Sequence, residues 1–241
     1  MSEYSISPAW RAQSLGRRGF LRVSAASAAT VALVATGCSN ETPTPTAPDI
    51  HQLVLPGGDT GLLYYGYLLA KALFTVYDKV VSAPPVDLSV AERVIFADLR
   101  YHQLVYQELF HYYIDAALNP IFPGDLAFST AGFTLTSRAG VLAAAQQLED
   151  LAAAAQPVLL ALLTTGPATV TKRLVLAKMV SVQARHAATV RDLRTPGSFA
   201  DATVVDANGQ LLTKTPTEVN AALAPGYLPY VINVANLALP L

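Results

Sequence analysis

Two segments of the sequence carry polar residues three positions apart, the spacing at which two side chains of one helix reach a common point. The first pair is Gln103 and Tyr106, within ADLRYHQLVYQELF, and the second is Gln183 and His186, within SVQARHAATVRDL. In helical metal proteins this spacing belongs to Glu-x-x-His pairs, because carboxylate and imidazole ligands together suit redox-active iron or manganese. Only His186 keeps such a ligand, so we expect a site that has lost most of its carboxylates.

Four helical blocks must position these residues. Apolar residues recur every three or four positions over residues 59–81, 89–118, 137–156 and 169–193. Ser89 and Glu92 form a capping box that starts the second block. Residues 121–136 form a crossover loop, and Pro157 is expected to break or bend the third block before a short apolar piece. The pattern predicts an all-α fold around one core.

The C-terminal part, residues 197–241, changes character. Residues 203–212, TVVDANGQLL, predict a small β-hairpin around Asn208 and Gly209. A short helix is expected to start at Thr215, which has a capping box and a proline at the first helical position. We therefore expect an appendage that packs back onto the helices.

The segments FADLRYHQ and QARHAATVRDL keep the spacing and flanking residues of a known family. Over residues 59–193 the chain resembles the bacterial exported ferritin-like domain proteins, which implies a ferritin-like four-helix bundle spanning residues 58–196. The resemblance also implies where the ligands of a dinuclear metal centre would fall. Carried over residue by residue, those positions are Gln103, Tyr106, Gln183, His186, Glu149 and either Ala70 or Leu73.

Of these positions, only Glu149 and His186 are strong metal donors. Exchanging Glu for Gln at 103 and 183 keeps the shape of the side chain while removing its charge, which lowers repulsion in a dry core. We therefore expect no cofactor and a polar core network of Gln103, Gln183, Tyr106, His186 and Glu149. A weak mononuclear metal site at Glu149 and His186, or a dinuclear iron or manganese centre with further ligands, remains the alternative.

Two other groups could supply ligands to such a centre. Glu108 and His111 form a true Glu-x-x-His pair, but it begins five residues after Gln103, which rotates it by about 140° around the helix. A solvated surface pair is therefore expected. His102 lies at the edge of the inward stripe, where a histidine bonded to a carbonyl is the commoner arrangement.

The N-terminal residues 1–37 have the character of an export signal. Arg17 and Arg18 lie in RRGFLR, which resembles the twin-arginine signal, and an alanine-rich apolar stretch follows. Cys38, the only cysteine, follows Gly37 in a sequence that resembles a lipoprotein processing box, so we expect lipid attachment there. Residues 38–57 are rich in proline and threonine and predict a semi-extended tether.

These features favour a membrane-tethered, exported protein of the periplasm or cell surface that acts by binding or assembly rather than catalysis. A protein partner or a homo-oligomer is expected. The alternative is a catalase-like di-iron or di-manganese oxidoreductase that uses Glu149 and His186. Nucleic acid is not expected as a partner, because the formal net charge is −1 and the sequence contains no basic run.

Overall fold

The computed structural model describes residues 52–114, 128–223 and 231–237, which lie in the compact unit Pro48–Leu241. The chain is mostly helical, as predicted. The long helices are α1 (Gly58–Ser82), α2 (Val90–Tyr113), α3 (Arg138–Leu162) and α4 (Val170–Arg194), followed by the short α5 (Pro216–Ala222). The predicted leader, with Arg17 and Arg18, and the predicted lipidation site Cys38 lie outside the described residues. In the described part, no helix combines the length and the apolar character needed to cross a membrane.

The predicted capping boxes are present at the start of two helices. Ser89 and Glu92 each bond the backbone of the other at the start of α2, and Thr215 and Glu218 do the same at α5. Pro216 occupies the first position of α5, where its missing N–H breaks no helical hydrogen bond. The sequence therefore fixes both helix starts by local chemistry.

Of the two outcomes expected at Pro157, a break and a bend, the break does not occur: α3 continues past the proline to Leu162. A proline inside a helix leaves a carbonyl of the preceding turn without its usual donor. The turn before Pro157 is alanine-rich, which favours the helix. The backbone N–H of Lys214 also donates to the Ala154 carbonyl, at 3.0 Å, so the C-terminal segment supplies a donor next to the interruption.

Contacts between helix ends establish how the long helices run. Arg138, the first residue of α3, binds Glu92 in the first turn of α2, with 2.7 Å between Arg138 Nε and Glu92 Oε1. At the other end, Asp59 in the first turn of α1 accepts from the Thr164 N–H after α3 and from Lys172 at the start of α4. Helices α2 and α3 therefore start at the same end. The predicted crossover loop, residues 121–136, lies partly outside the described residues.

Helix α1 has the largest number of buried residues among the described helices. It packs against α2 and α3, and α4 packs against α3 and α2. Gly66 lets α1 approach α2 closely, because a Cβ atom at this position would lie 2.5 Å from the Phe110 ring. The polar positions of the sequence pairs, Gln103 and Gln183, are both fully buried among these apolar faces.

Residues 203–212 turn back at Gly209, as predicted, with the Asp206 N–H donating to the Gln210 carbonyl, but the antiparallel pairing is limited to one isolated bridge between Val205 and Leu211. Residues 38–57 were expected to be a tether, but Gln52–Val54 forms strand β1, which pairs in parallel with β2 (Val231–Asn233). Alternation explains β1, because Leu53 is buried between two exposed neighbours.

Candidate functional site

Glu149 is the central polar residue of the interior. Its side chain is fully buried on α3. The Tyr77 hydroxyl donates to Glu149 Oε1 at 2.5 Å, and the Gln183 amide donates to Glu149 Oε2. Both carboxyl oxygens therefore accept hydrogen bonds from neutral groups of neighbouring helices, which is the condition for burying such a group at tolerable cost.

The hydrogen bonds extend from Glu149 to α2. The Gln103 amide nitrogen donates to Gln183 Oε1 at 3.2 Å, and Gln183 in turn donates to Glu149. We call Tyr77, Gln103, Glu149 and Gln183 the interior relay. Each of the four long helices contributes one member, so the relay fixes the relative register of all four.

Burial controls the protonation of the relay. Removal from water raises the pKa of Glu149 to about 8, although the hydrogen bonds from Tyr77 and Gln183 oppose that rise. The neutral acid is therefore the main form at pH 7. A neutral Glu149 that bonds a phenol and an amide needs no cation to balance it.

His186 is directed to a different partner. Its Nε2 atom lies 2.9 Å from His102 Nδ1, and the two rings are parallel with 4.9 Å between their centroids. Burial, helped by the nearby His102 and Arg185, lowers the pKa of His186 to about 4, so the ring is neutral at pH 7. His186 is buried whereas His102 is exposed, so the histidine pair connects the interior to the surface of α2.

The expected five-residue network is therefore only partly formed: Gln103, Gln183 and Glu149 are joined, whereas His186 and Tyr106 each bond a different partner. No hydrogen bond joins Glu149 to His186 within the described residues, and Tyr106 donates instead to the Met179 carbonyl at 3.3 Å. The expectation that His102 would bond a carbonyl is also wrong, since it bonds His186.

The sequence reasoning missed Tyr77. Ala70 and Leu73 were expected to mark the α1 position of the site, and both are buried, but the polar α1 group at Glu149 is Tyr77. Tyr77 lies one turn after Leu73 and two turns after Ala70, so it shares their face of the helix. A buried tyrosine requires a partner for its hydroxyl, and that requirement was the available signal.

Glu108 and His111 are both exposed, as their rotation away from Gln103 predicts. The inward face of α2 instead carries Gln103 and Tyr106, which are buried. The true Glu-x-x-His motif of this helix therefore takes no part in the relay.

The interior donors do not fit a dinuclear metal centre. Such a centre uses four carboxylates and two histidines, whereas the relay holds one carboxyl group whose oxygens already accept two hydrogen bonds. Residues 52–114, 128–223 and 231–237 contain no group of three or more His, Cys, Asp or Glu side chains placed to share one ion. Two buried atoms of this region, His186 Nδ1 and Gln103 Oε1, have no hydrogen-bond partner.

A second polar cluster holds the C-terminal segment against α3 and α4. Arg191 is buried and makes a two-pronged ion pair with Asp150, with 2.8 and 2.7 Å between the paired atoms. Its other bonds go to Asp201 and Thr203. A cavity of about 590 Å³ lies beside this cluster. Its lining combines alanines of α3 and α4 with Phe199, Val204, Val205, Leu211 and Leu212.

No family model, no curated protein and no solved structure matches this chain.

Proposed function

We propose that this chain is a ferritin-like four-helix bundle whose dinuclear metal centre has been replaced by a neutral hydrogen-bond relay, and that it acts by binding or assembly rather than catalysis. The observation that carries the proposal is the pair of bonds on Glu149. Tyr77 and Gln183 occupy the two oxygens that would otherwise ligate metal. Gln103 of α2, which is also uncharged, donates a hydrogen bond to Gln183.

The helix directions support the bundle. The bonds of Arg138 to Glu92 and of Asp59 to Lys172 give a crossover between the second and third helices, as in ferritin-like folds. One inward polar residue from each long helix lies at a common level. This arrangement resembles the placement of one inward carboxylate from each helix of a di-metal bundle, here with amide and phenol groups on three of the four helices.

The cellular part of the proposal rests on the sequence. Arg17 and Arg18 would direct export, and a lipid on Cys38 would tether the domain to a membrane at the periplasmic or cell surface. Replacing Cys38 with Ala should release the protein into the soluble fraction and remove the mass of the lipid. An unchanged fractionation pattern and mass would rule out the lipoprotein.

Metal analysis tests the loss of the centre. The folded protein, purified after growth with added iron and manganese, should contain less than one tightly bound metal ion per chain. It should also show no catalase activity. About two iron or manganese ions per chain would overturn the proposal and favour the oxidoreductase that uses Glu149 and His186.

A further inference from the structure

Helix α2 exposes a row of large apolar side chains on the face opposite the core. Tyr101 is 59% exposed and Tyr112 is 80% exposed. Of the large hydrophobic residues that are exposed in the described part of the chain, nearly half lie on this one helix. We call the row the α2 stripe, and it consists of Val90, Val94, Tyr101, Leu104, Val105 and Tyr112.

The stripe is continuous along the helix. Val90, Val94, Tyr101, Val105 and Tyr112 follow one another at steps of four and seven residues, which keeps them on one side of a helix with 3.6 residues per turn. The row is about 33 Å long at 1.5 Å per residue. Apolar residues spaced by four and seven positions are typical of a helix that packs side by side with a second helix.

The exposed area is large enough for a stable contact. The six side chains expose on the order of 600 Å², given about 150–250 Å² for each aromatic residue, and this is the upper limit for apolar patches on monomers. Packing against an identical stripe would bury about twice that area. Flanking polar residues would bring the total to roughly the 1,200–2,000 Å² of stable protein interfaces.

Polar side chains beside the stripe favour a second copy of the chain as the partner. Arg93, whose guanidinium also donates to the Leu88 and Pro85 carbonyls, and Glu108 flank one side of the row. Asp98 and His102 flank the other side, and all four residues are exposed. If two α2 helices pack antiparallel around a two-fold axis near Tyr101, Arg93 faces Glu108 of the second copy. Asp98 then faces His102 of the second copy. The surface is therefore complementary to itself, which a symmetric dimer requires.

We propose that the α2 stripe is the interface of an antiparallel homodimer. This inference rests on the assembly part of the proposed function and names the partner as a second copy of the chain. The dimer also covers His102, the exposed member of the histidine pair, so that both rings of the pair become shielded from water. If the protein proves not to dimerise, its metal content is unaffected. The dimer and the loss of the metal centre are therefore tested by separate experiments.

Sedimentation of the full-length chain carrying Cys38→Ser should give the mass of a dimer across a wide range of concentrations. Combining Val94→Glu with Tyr101→Glu places charge in the centre of the interface and should weaken dimerisation roughly tenfold or more. Leu174→Glu is the matched control, because Leu174 is 55% exposed and belongs to a different helix, α4. Unchanged circular dichroism would show that both variants fold. A monomeric parent protein overturns the proposal.

Charge reversal tests the antiparallel arrangement. Arg93→Glu and Glu108→Arg should each weaken the dimer, and the double variant should restore it, because the reversed pair again attracts. A double variant that is weaker than either single variant contradicts the arrangement. Tyr101→Cys, made in the Cys38→Ser background, should form a disulfide between copies on mild oxidation, whereas Val170→Cys should not.

A membrane is the competing occupant of the stripe. Vesicles of phosphatidylglycerol and phosphatidylethanolamine should not bind the Cys38→Ser protein. If the protein floats with these vesicles, and the variant with Val94→Glu and Tyr101→Glu does not, the stripe binds lipid and the dimer proposal is wrong.

Discussion

The Tyr77 hydroxyl lies 2.5 Å from Glu149 Oε1 and joins α1 to α3 in the interior. Both side chains are fully buried, so neither can exchange this bond for one to water. The relationship explains why a helix without any inward carboxylate still takes part in the polar centre. It also makes Tyr77 the residue whose removal should disturb the relay most directly.

Tyr77→Phe should lower the free energy of unfolding by about 1–3 kcal/mol, because the carboxyl oxygen of Glu149 loses its donor while the ring still fills the space. Urea denaturation followed by circular dichroism measures this change. Tyr113→Phe is the control, since Tyr113 is only partly buried and lies outside the α2 stripe, and it should change stability by less than about 0.5 kcal/mol. Equal effects of the two substitutions would contradict the energetic importance of the Tyr77 bond.

Stability should fall between pH 6.5 and pH 8. The pKa of Glu149 is raised from 4.5 to about 8 in the folded state, so the folded protein keeps a proton that the unfolded chain has lost. The unfolded state then binds fewer protons, and raising the pH favours unfolding. Below pH 6.5 the slope should flatten, because His186, with its pKa lowered to about 4, contributes in the opposite direction between pH 4 and 6.5.

Glu149→Gln identifies the group responsible for this dependence. The amide does not titrate, so the denaturation midpoint of the variant should not fall between pH 6.5 and pH 8. A parent protein with the same flat profile, or a variant that retains the fall, would assign the dependence to another group.

Arg191→Ala should cost about 3–5 kcal/mol, because Asp150 would remain close to the interior without its partner. It should also release residues 197–214 from α4, since Arg191 binds Asp201 and Thr203. Limited proteolysis detects that release as faster cleavage in this segment. Arg185→Ala, at an exposed position of the same helix, should leave the cleavage rate unchanged.

Restoring carboxylates should recreate a metal requirement. Combining Tyr77→Glu, Gln103→Glu and Gln183→Glu gives four acidic groups in one buried pocket with Glu149, and Tyr106→His adds the missing imidazole. The variant should be less stable than the parent without metal and should recover with iron or manganese, because binding to the folded state stabilises it. A chelator should leave the melting temperature of the parent unchanged. A large drop in the parent would contradict the neutral relay.

The sequence predicted the long helices and the burial of Gln103, Glu149 and Gln183. It could do so because apolar spacing and capping boxes depend only on residues close together in the chain. It did not predict which polar groups meet. The partner of His186 depends on how α2 and α4 are rotated against each other, and that rotation follows from packing across the whole core. The sequence likewise could not show that α3 continues past Pro157, since the donor beside that proline comes from Lys214, more than fifty residues later.

Strand β1 has a mechanical consequence. It pairs in parallel with β2, and Leu55 adds two further bonds, one from its N–H to the Asn233 carbonyl and one to its carbonyl from Asn236. Tension applied to the chain before Gln52 would act along the strand and load these bonds together, in shear, rather than breaking them one after another. Force applied from the N-terminal side would therefore reach the helices only after the bonds between β1 and β2 and those of Leu55 had broken together.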